Sequence, residues 1–243
     1  MLDFNPRLKP GDVSEAVNAA LDRAMDARPE ERRSYLGASA LGDECDRRIQ
    51  YQSEGLVPDH PSQPRMRRIF ERGHLLEARA AGELQAAGFG LQRHDPQGEA
   101  FGFTALGGRF QGHINGRLVE APVAMTLPAL WEHKALKAEA WRKVAGKGVA
   151  IATPKYAAQV AIYQAYLGLP APALITATNA DTMEMHHELV AFDAGLAQRM
   201  SDRAVRIVKA TQAGQRMPRF TAARGHVECR WCGFRDRCWE IDL

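Results

Sequence analysis

Four cysteines occur in the chain, and all of them can be assigned to one site. Cys229, Cys232 and Cys238 fall in the run Cys-Arg-Trp-Cys-Gly-Phe-Arg-Asp-Arg-Cys, and Cys45 lies near the other end. Three clustered thiolates and one distant thiolate suit a four-sulfur metal site, which would act as a clasp between the two ends. A second group of residues is suited to cation chemistry. In Trp131-Glu132-His133-Lys134 a carboxylate and a lysine are two apart, so on a strand they share one face. A carboxylate beside an ammonium can hold a hard divalent cation while the ammonium orients a water or an anionic oxygen. Alone, such a pair is more often a surface ion pair worth about 0–1 kcal/mol. Other residues strengthen the cation reading. Asn115 stands on the preceding strand pattern in Gly-His-Ile-Asn-Gly, and Glu77 falls beside Gly73, Ala80 and Leu84 on an apolar helix face, where an unpaired carboxylate is costly to bury. Tyr156, Gln159 and Tyr163 are spaced three and four apart, which puts them on one face of a helix, where the tyrosines could equally serve as plain core residues.

Elements to position these residues are legible in the pattern. Asp12 and Glu15 form a capping-box signature, and Val13, Val17, Leu21 and Met25 repeat at helical spacing as far as Pro29. Prolines 58, 61 and 64 mark a connector. From Arg65 a helix is expected to run to Gly88, with Met66, Ile69, Gly73, Leu76, Ala80, Leu84 and Ala87 on one stripe and Gly88 as its C-terminal cap. Strands are expected at Phe101–Ala105, over Arg109–Val119 as one strand or hairpin, and at Ala129–Leu136. Thr153-Pro154 opens a helix through Leu167, Ala173–Thr178 and Met183–Phe192 read as two further strands, and Asp193 caps a last helix to about Thr211. The order predicts an α/β fold with a mixed sheet flanked by helices. One domain over residues 1–243 is expected, with a helical segment at 1–64 carrying Cys45, a core at 65–212 and a cysteine segment at 213–243.

Composition narrows the function classes. At 243 residues and 45% hydrophobic content the chain can bury a substantial core. No apolar run approaches the ~18 residues of a membrane span, and Asp3, Pro6 and Pro10 interrupt any signal-peptide core, so a cytoplasmic protein without membrane partners is expected. Grouped cysteines in that reducing setting read first as metal ligands. The net charge of +3 does not by itself indicate nucleic acid. Local basic groups occur at Arg65, Arg67, Arg68 and Arg72 and at Lys134, Lys137, Arg142, Lys143 and Lys147, where solvated helix faces are an equal reading. No Gly-rich loop ending in Gly-Lys-Ser/Thr is present, which argues against an ATP-driven motor.

Taken together, these segments resemble the RecB-type branch of the PD-(D/E)XK nuclease superfamily. The likeness is to its iron–sulfur members, the CRISPR-associated RecB-like exonucleases and the AddB nuclease domain. It spans about Ser34 to Trp239 and rests on six segments in order: the stretch from Ser39 through Cys45 to Arg48, Gly73-His-Leu-Leu-Glu77, Gly-His-Ile-Asn115-Gly, Glu132-His-Lys134, Gln159-Val-Ala-Ile-Tyr163 and the closing C-x2-C-x5-C. The resemblance implies a restriction-endonuclease-like fold and a metal-dependent deoxyribonuclease, with DNA as partner in the form of single strands or duplex ends. Glu77, Asn115, Glu132 and the main-chain carbonyl of His133 would surround Mg²⁺ or Mn²⁺, Lys134 would orient the attacking water, and Gln159 and Tyr163 would hold the strand. His74 would be a second partner of the site or simply exposed. Cys45, Cys229, Cys232 and Cys238 would bind a [4Fe-4S] cluster joining the N- and C-terminal segments, shielded by Trp231, Phe234 and Trp239. Zinc is the alternative, although zinc ribbons usually pair two C-x2-C knuckles and Cys45 has no near partner. The chain departs from the family at Asn115, where an aspartate is expected. The neutral side chain removes one negative charge from the cation site. Three functions therefore compete: a nuclease, a catalytically silent DNA-binding adaptor, and a redox sensor supported by the cysteines alone.

Overall fold

A computed structural model describes residues 10–28 and 32–240. The chain begins with α1 (Pro10–Asp26), followed by the two-residue β1 (Leu36–Gly37), a 3-10 turn (Ala38–Ala40), α2 (Asp46–Ser53) and the long α3 (Pro64–Ala86). Four strands follow, β2 (Gly90–Gln92), β3 (Gly102–Ala105), β4 (Phe110–His113) and β5 (Gly116–Glu120), then the central β6 (Ala129–Leu136). A crossover through α4 (Ala138–Lys147), α5 (Val149–Ala152) and α6 (Pro154–Leu167) leads to β7 (Ala173–Asn179) and β8 (Met185–Val190). The chain closes with α7 (Ala194–Gln212) and two short helices, α8 (Val227–Arg230) and α9 (Arg235–Glu240).

The strands form two mixed sheets with helices packed on them, where the sequence suggested one. One sheet has the order β1-β4-β3, and the other β2-β5-β6-β7-β8. β6 and β7 are parallel because the helical crossover returns the chain to the same end, while β5–β6 and β7–β8 are antiparallel. The strand or hairpin expected over Arg109–Val119 is two strands that belong to different sheets. The chain leaves the smaller sheet after His113 and enters the larger one at Gly116, so Asn115 sits at the passage between them.

Each face of β6 meets a different core. Leu130 and Leu136 join a cluster with Val160, Ile162 and Tyr163 of α6 and Ile207 of α7, whereas Ala129 and Trp131 join Ala80, Ala81 and Leu84 of α3. Helix α6 is buried at every position from Ala157 to Gln164, as expected of a helix enclosed by sheet and helices together. Its boundaries follow the sequence reading: Pro154 fits the first turn and Gly168, with φ +64°, ends it. Asp193 caps α7 by accepting from the Leu196 amide at 2.8 Å. Past Ala86, Gly88 takes φ +90° and the Phe89 amide returns to the Leu84 carbonyl, so Gly88 does close α3.

Other expectations fail. Val13, Val17 and Leu21 on α1 are exposed and only Met25 of that stripe is buried, because α1 meets the rest of the described chain mainly through the N-terminal half of α3. Pro29, expected to end α1, lies outside the described residues. The α3 stripe is buried only at Ala80 and Leu84, and Met66 and Ala87 at its two ends are exposed. Helix α4 and the strands β1 and β2 have no counterpart in the sequence reading, and α2 falls in the expected helical segment at 1–64 without having been delimited. Among the described residues no helix is long and apolar enough to cross a membrane.

Gly112 of β4 marks a close approach. A Cβ there would lie 2.6 Å from Tyr163 Cε1, 2.7 Å from Phe103 Cε1 and 2.9 Å from Ala38 Cβ. Gly112→Ala is therefore expected to destabilise the chain by about 1–3 kcal/mol in urea denaturation; a neutral result would contradict this packing.

Candidate functional site

Strand alternation divides β6 as its sequence requires. Glu132 and Lys134 project toward α6, while Trp131 and His133 project to the other face, where Trp131 Nε1 donates to Thr176 Oγ1 at 3.0 Å and the His133 ring pairs with Thr178 Oγ1 at 2.9 Å. Burial pushes His133 down to about 4, so its ring is neutral at physiological pH. Only its main chain is thus left to face the site.

Glu132 is 2% exposed, and its Oε1 accepts from Lys134 Nζ at 2.7 Å and from Gln159 Nε2 at 2.9 Å. Lys134 Nζ also donates to Gln159 Oε1 at 2.9 Å, which closes a triangle. Gln159 Nε2 reaches Tyr163 Oη at 3.2 Å, and the Lys134 ammonium lies 4.7 Å from the centre of the Tyr156 ring. The i, i+4 spacing on α6 brings Gln159 and Tyr163 to the same end of the strand. The second oxygen of Glu132, Oε2, is buried and has no hydrogen-bond partner. Burial raises the Glu132 pKa, offset in part by Lys134, and the nearby Glu77 charge raises it further. Burial likewise pushes the Tyr163 phenol upward.

Asn115 is held at the passage between sheets by its side-chain carbonyl, which accepts from the His133 amide at 2.8 Å. Glu77 approaches from α3 and pairs with a residue absent from the sequence reading: Arg93 Nη2 donates to Glu77 Oε1 at 2.5 Å, and Arg93 Nε to the Asn115 main-chain oxygen at 3.3 Å. Glu77, Asn115, Glu132, His133, Lys134, Gln159 and Tyr163 all line one cavity of about 250 Å³. His74 lines it too, as do His113 of the Gly-His-Ile-Asn-Gly segment, given no role in the sequence reading, and Arg33 and Tyr35, which lie in no motif. Arg33 and Tyr35 precede the two-residue β1, too short to leave a periodic signal.

The cysteines gather elsewhere. Cys45 precedes α2, Cys229 lies in α8, Cys232 follows it and Cys238 lies in α9, and all four line one cavity with Arg48, Arg219 and Arg235. Burial raises the Cys229 and Cys232 thiols, and Cys45 and Cys238 add to the effect. Trp231 is 85% exposed, so it shields nothing; Phe234 is buried against Tyr51, and Trp239 lines the cavity. The same ends are joined by polar side chains of α2. Arg47 Nε donates to the Met217 carbonyl at 2.6 Å, Arg48 pairs with Glu228, and Gln50 both accepts from the Met217 amide and donates to the Gln215 carbonyl. Among the described residues no group of three or more His, Cys, Asp or Glu side chains is gathered as ligands of a metal ion. Donors do converge at both cavities: a buried carboxylate oxygen without a partner at one, four free thiols with arginines at the other.

Because the folded Glu132 pKa is raised, the native state favours its protonated form, so stability falls as pH rises from the ordinary carboxylate value through the raised one. Glu132→Gln is expected to raise the melting temperature at about pH 7, with the gain shrinking toward about pH 4. A parent chain more stable than the variant throughout would contradict the burial cost.

Neither family models nor curated protein sequences give a match. Among solved structures the chain is similar to an alkaline exonuclease (LHK-Exo) from Laribacter hongkongensis, with TM-score 0.55 and 13% identity over 81% of this chain and 93% of that one. The same exonuclease in complex with dAMP gives TM-score 0.49 and 14% identity over 81% and 93%. The likeness at TM-score 0.55 shows that this chain shares the fold of that alkaline exonuclease.

Proposed function

We propose that the chain is a divalent-metal-dependent deoxyribonuclease of RecB-like type, acting on DNA single strands or duplex ends as an exonuclease, in the cytoplasm. The observation that carries this reading is the Glu132 carboxylate, one oxygen held by Lys134 and Gln159 and the other buried without a partner beside Lys134. A buried anionic oxygen left open is costly, and a cation is the partner that would satisfy it. Glu132, Glu77 and the His133 carbonyl would hold Mg²⁺ or Mn²⁺, with Asn115 beside them. The bound ion supplies a deprotonated water at neutral pH and positive charge for the phosphate. Lys134 would orient the attacking water and stabilise charge developing on the phosphate, and Gln159 and Tyr163 would position the DNA strand and the lysine. The shared fold with an alkaline exonuclease supports this assignment.

Asn115 weakens the site, because a neutral ligand contributes less to the affinity for a hard dication than a carboxylate does. A second reading, a catalytically silent DNA-binding protein, is favoured by Asn115 together with the Arg93–Glu77 ion pair. Asn115→Asp is expected to show clearly higher Mn²⁺-dependent degradation of labelled DNA than the parent, and adding Glu132→Gln to abolish it. Binding of DNA without degradation by either chain would favour the silent protein.

The four thiols line one cavity and would bind a [4Fe-4S] cluster, whose role would be structural, tying the segment before α2 to the C-terminal helices. The arginines lining the cavity offset the thiolate charge. Protein purified without air should be brown, with broad absorbance in the blue that is lost in Cys45→Ser. Colourless protein carrying stoichiometric zinc would overturn the cluster.

A further inference from the structure

We propose that Arg93 is a positioning residue that competes with a divalent cation for Glu77 and so lowers the affinity of the cavity for its ion. The inference rests on the cation reading of the cavity and goes beyond it, since Arg93 belongs to none of the motifs. Arg93 follows β2, whose pairing with β5 sets Gln92 opposite Arg117 and brings the next residue to the passage where Asn115 lies. Its guanidinium is fixed at two points, Glu77 Oε1 at 2.5 Å and the Asn115 main-chain oxygen at 3.3 Å. The Glu77 side chain is only 16% exposed and Arg93 32%, so solvent screens the pair incompletely.

Charge makes the consequence specific to this chain. Glu77 faces Arg93 and Glu132 faces Lys134, so the carboxylates of the cavity are matched by cations before any ion enters. With a neutral residue at 115, no excess negative charge is left to attract a dication. An ion that takes Glu77 as ligand must share its carboxylate with a partly buried guanidinium or displace it, and by linkage the two weaken each other's hold. Arg93 thereby sets the cation affinity of the cavity without being a ligand.

Mn²⁺ binding, read without DNA from the electron-spin-resonance signal of the free ion, tests this directly. Arg93→Gln should bind Mn²⁺ about tenfold more tightly than the parent, as expected where removing one nearby charge is worth a kcal/mol or more. Arg93→Lys, which keeps the charge without the fixed fork, should gain less and guards against misfolding of the first variant. The double variant Glu77→Gln/Arg93→Gln should lose the gain, because the contested carboxylate is gone. If Arg93→Gln binds Mn²⁺ no tighter than the parent, or if the double variant keeps the gain, the competition does not exist. Degradation assays on the same preparations separate the two readings. Tighter binding without DNA cleavage in any variant would remove the nuclease and leave the competition standing, and cleavage with unchanged binding would do the reverse.

Discussion

The structure is organised around a carboxylate that is almost wholly buried at the edge of a cavity. Moving a charged group out of water costs several kcal/mol even after relaxation, and an ion pair recovers that only when its remaining hydrogen-bonding positions are also filled. Glu132 meets half of the requirement. One oxygen has Lys134 and Gln159, and the other has nothing. Such a group persists only if the surroundings hold it there. Here β6 lies between two strands, and α6 is buried along its whole middle section. Gly112 lets the smaller sheet come close enough to fix Tyr163, which in turn meets Gln159. A stable scaffold is thus opposed by one costly group, the pattern expected where function and stability pull apart.

The same scaffold links the two cavities. Ala38, in the 3-10 turn, packs beneath Gly112 on the side of the Glu132 site, and Gly42 a few residues on lies against the Lys155 backbone at the start of α6. From there the chain runs through Cys45 into α2, whose Arg47, Arg48 and Gln50 bind the C-terminal segment. Those contacts are hydrogen bonds and an ion pair, added to the apolar contact of Tyr51 with Phe234, and a metal-based tie would reinforce the same junction. In the proposed reading the sulfur ligands reinforce a connection that polar side chains already make.

Residues whose placement depends on local period were legible in the sequence. Glu132 and Lys134 share a face because strands alternate, Gln159 and Tyr163 meet because helices repeat near four, and Asp193 and Gly88 close their helices through local backbone chemistry. What escaped is what depends on partners distant in sequence. Arg93 carries no motif, and only the pairing of β2 with β5 brings it to Glu77. The division of Arg109–Val119 between two sheets was hidden because both strands alternate buried and less buried residues in the same way. Helix α4, whose one buried residue is Val144, left too faint a stripe among its charged residues. The exposure of Val13, Val17 and Leu21 shows the converse: periodicity predicts a helix correctly without saying what, if anything, covers its face.

The central claim is that Glu132 keeps one oxygen free for a cation. Anomalous diffraction from crystals soaked in Mn²⁺ addresses it most directly. A single strong peak in ligand contact with Glu132 Oε2, lost in Glu132→Gln, is the predicted result. Crystals saturated with Mn²⁺ that show no peak in this cavity, or a peak unaffected by removing the carboxylate, would contradict it.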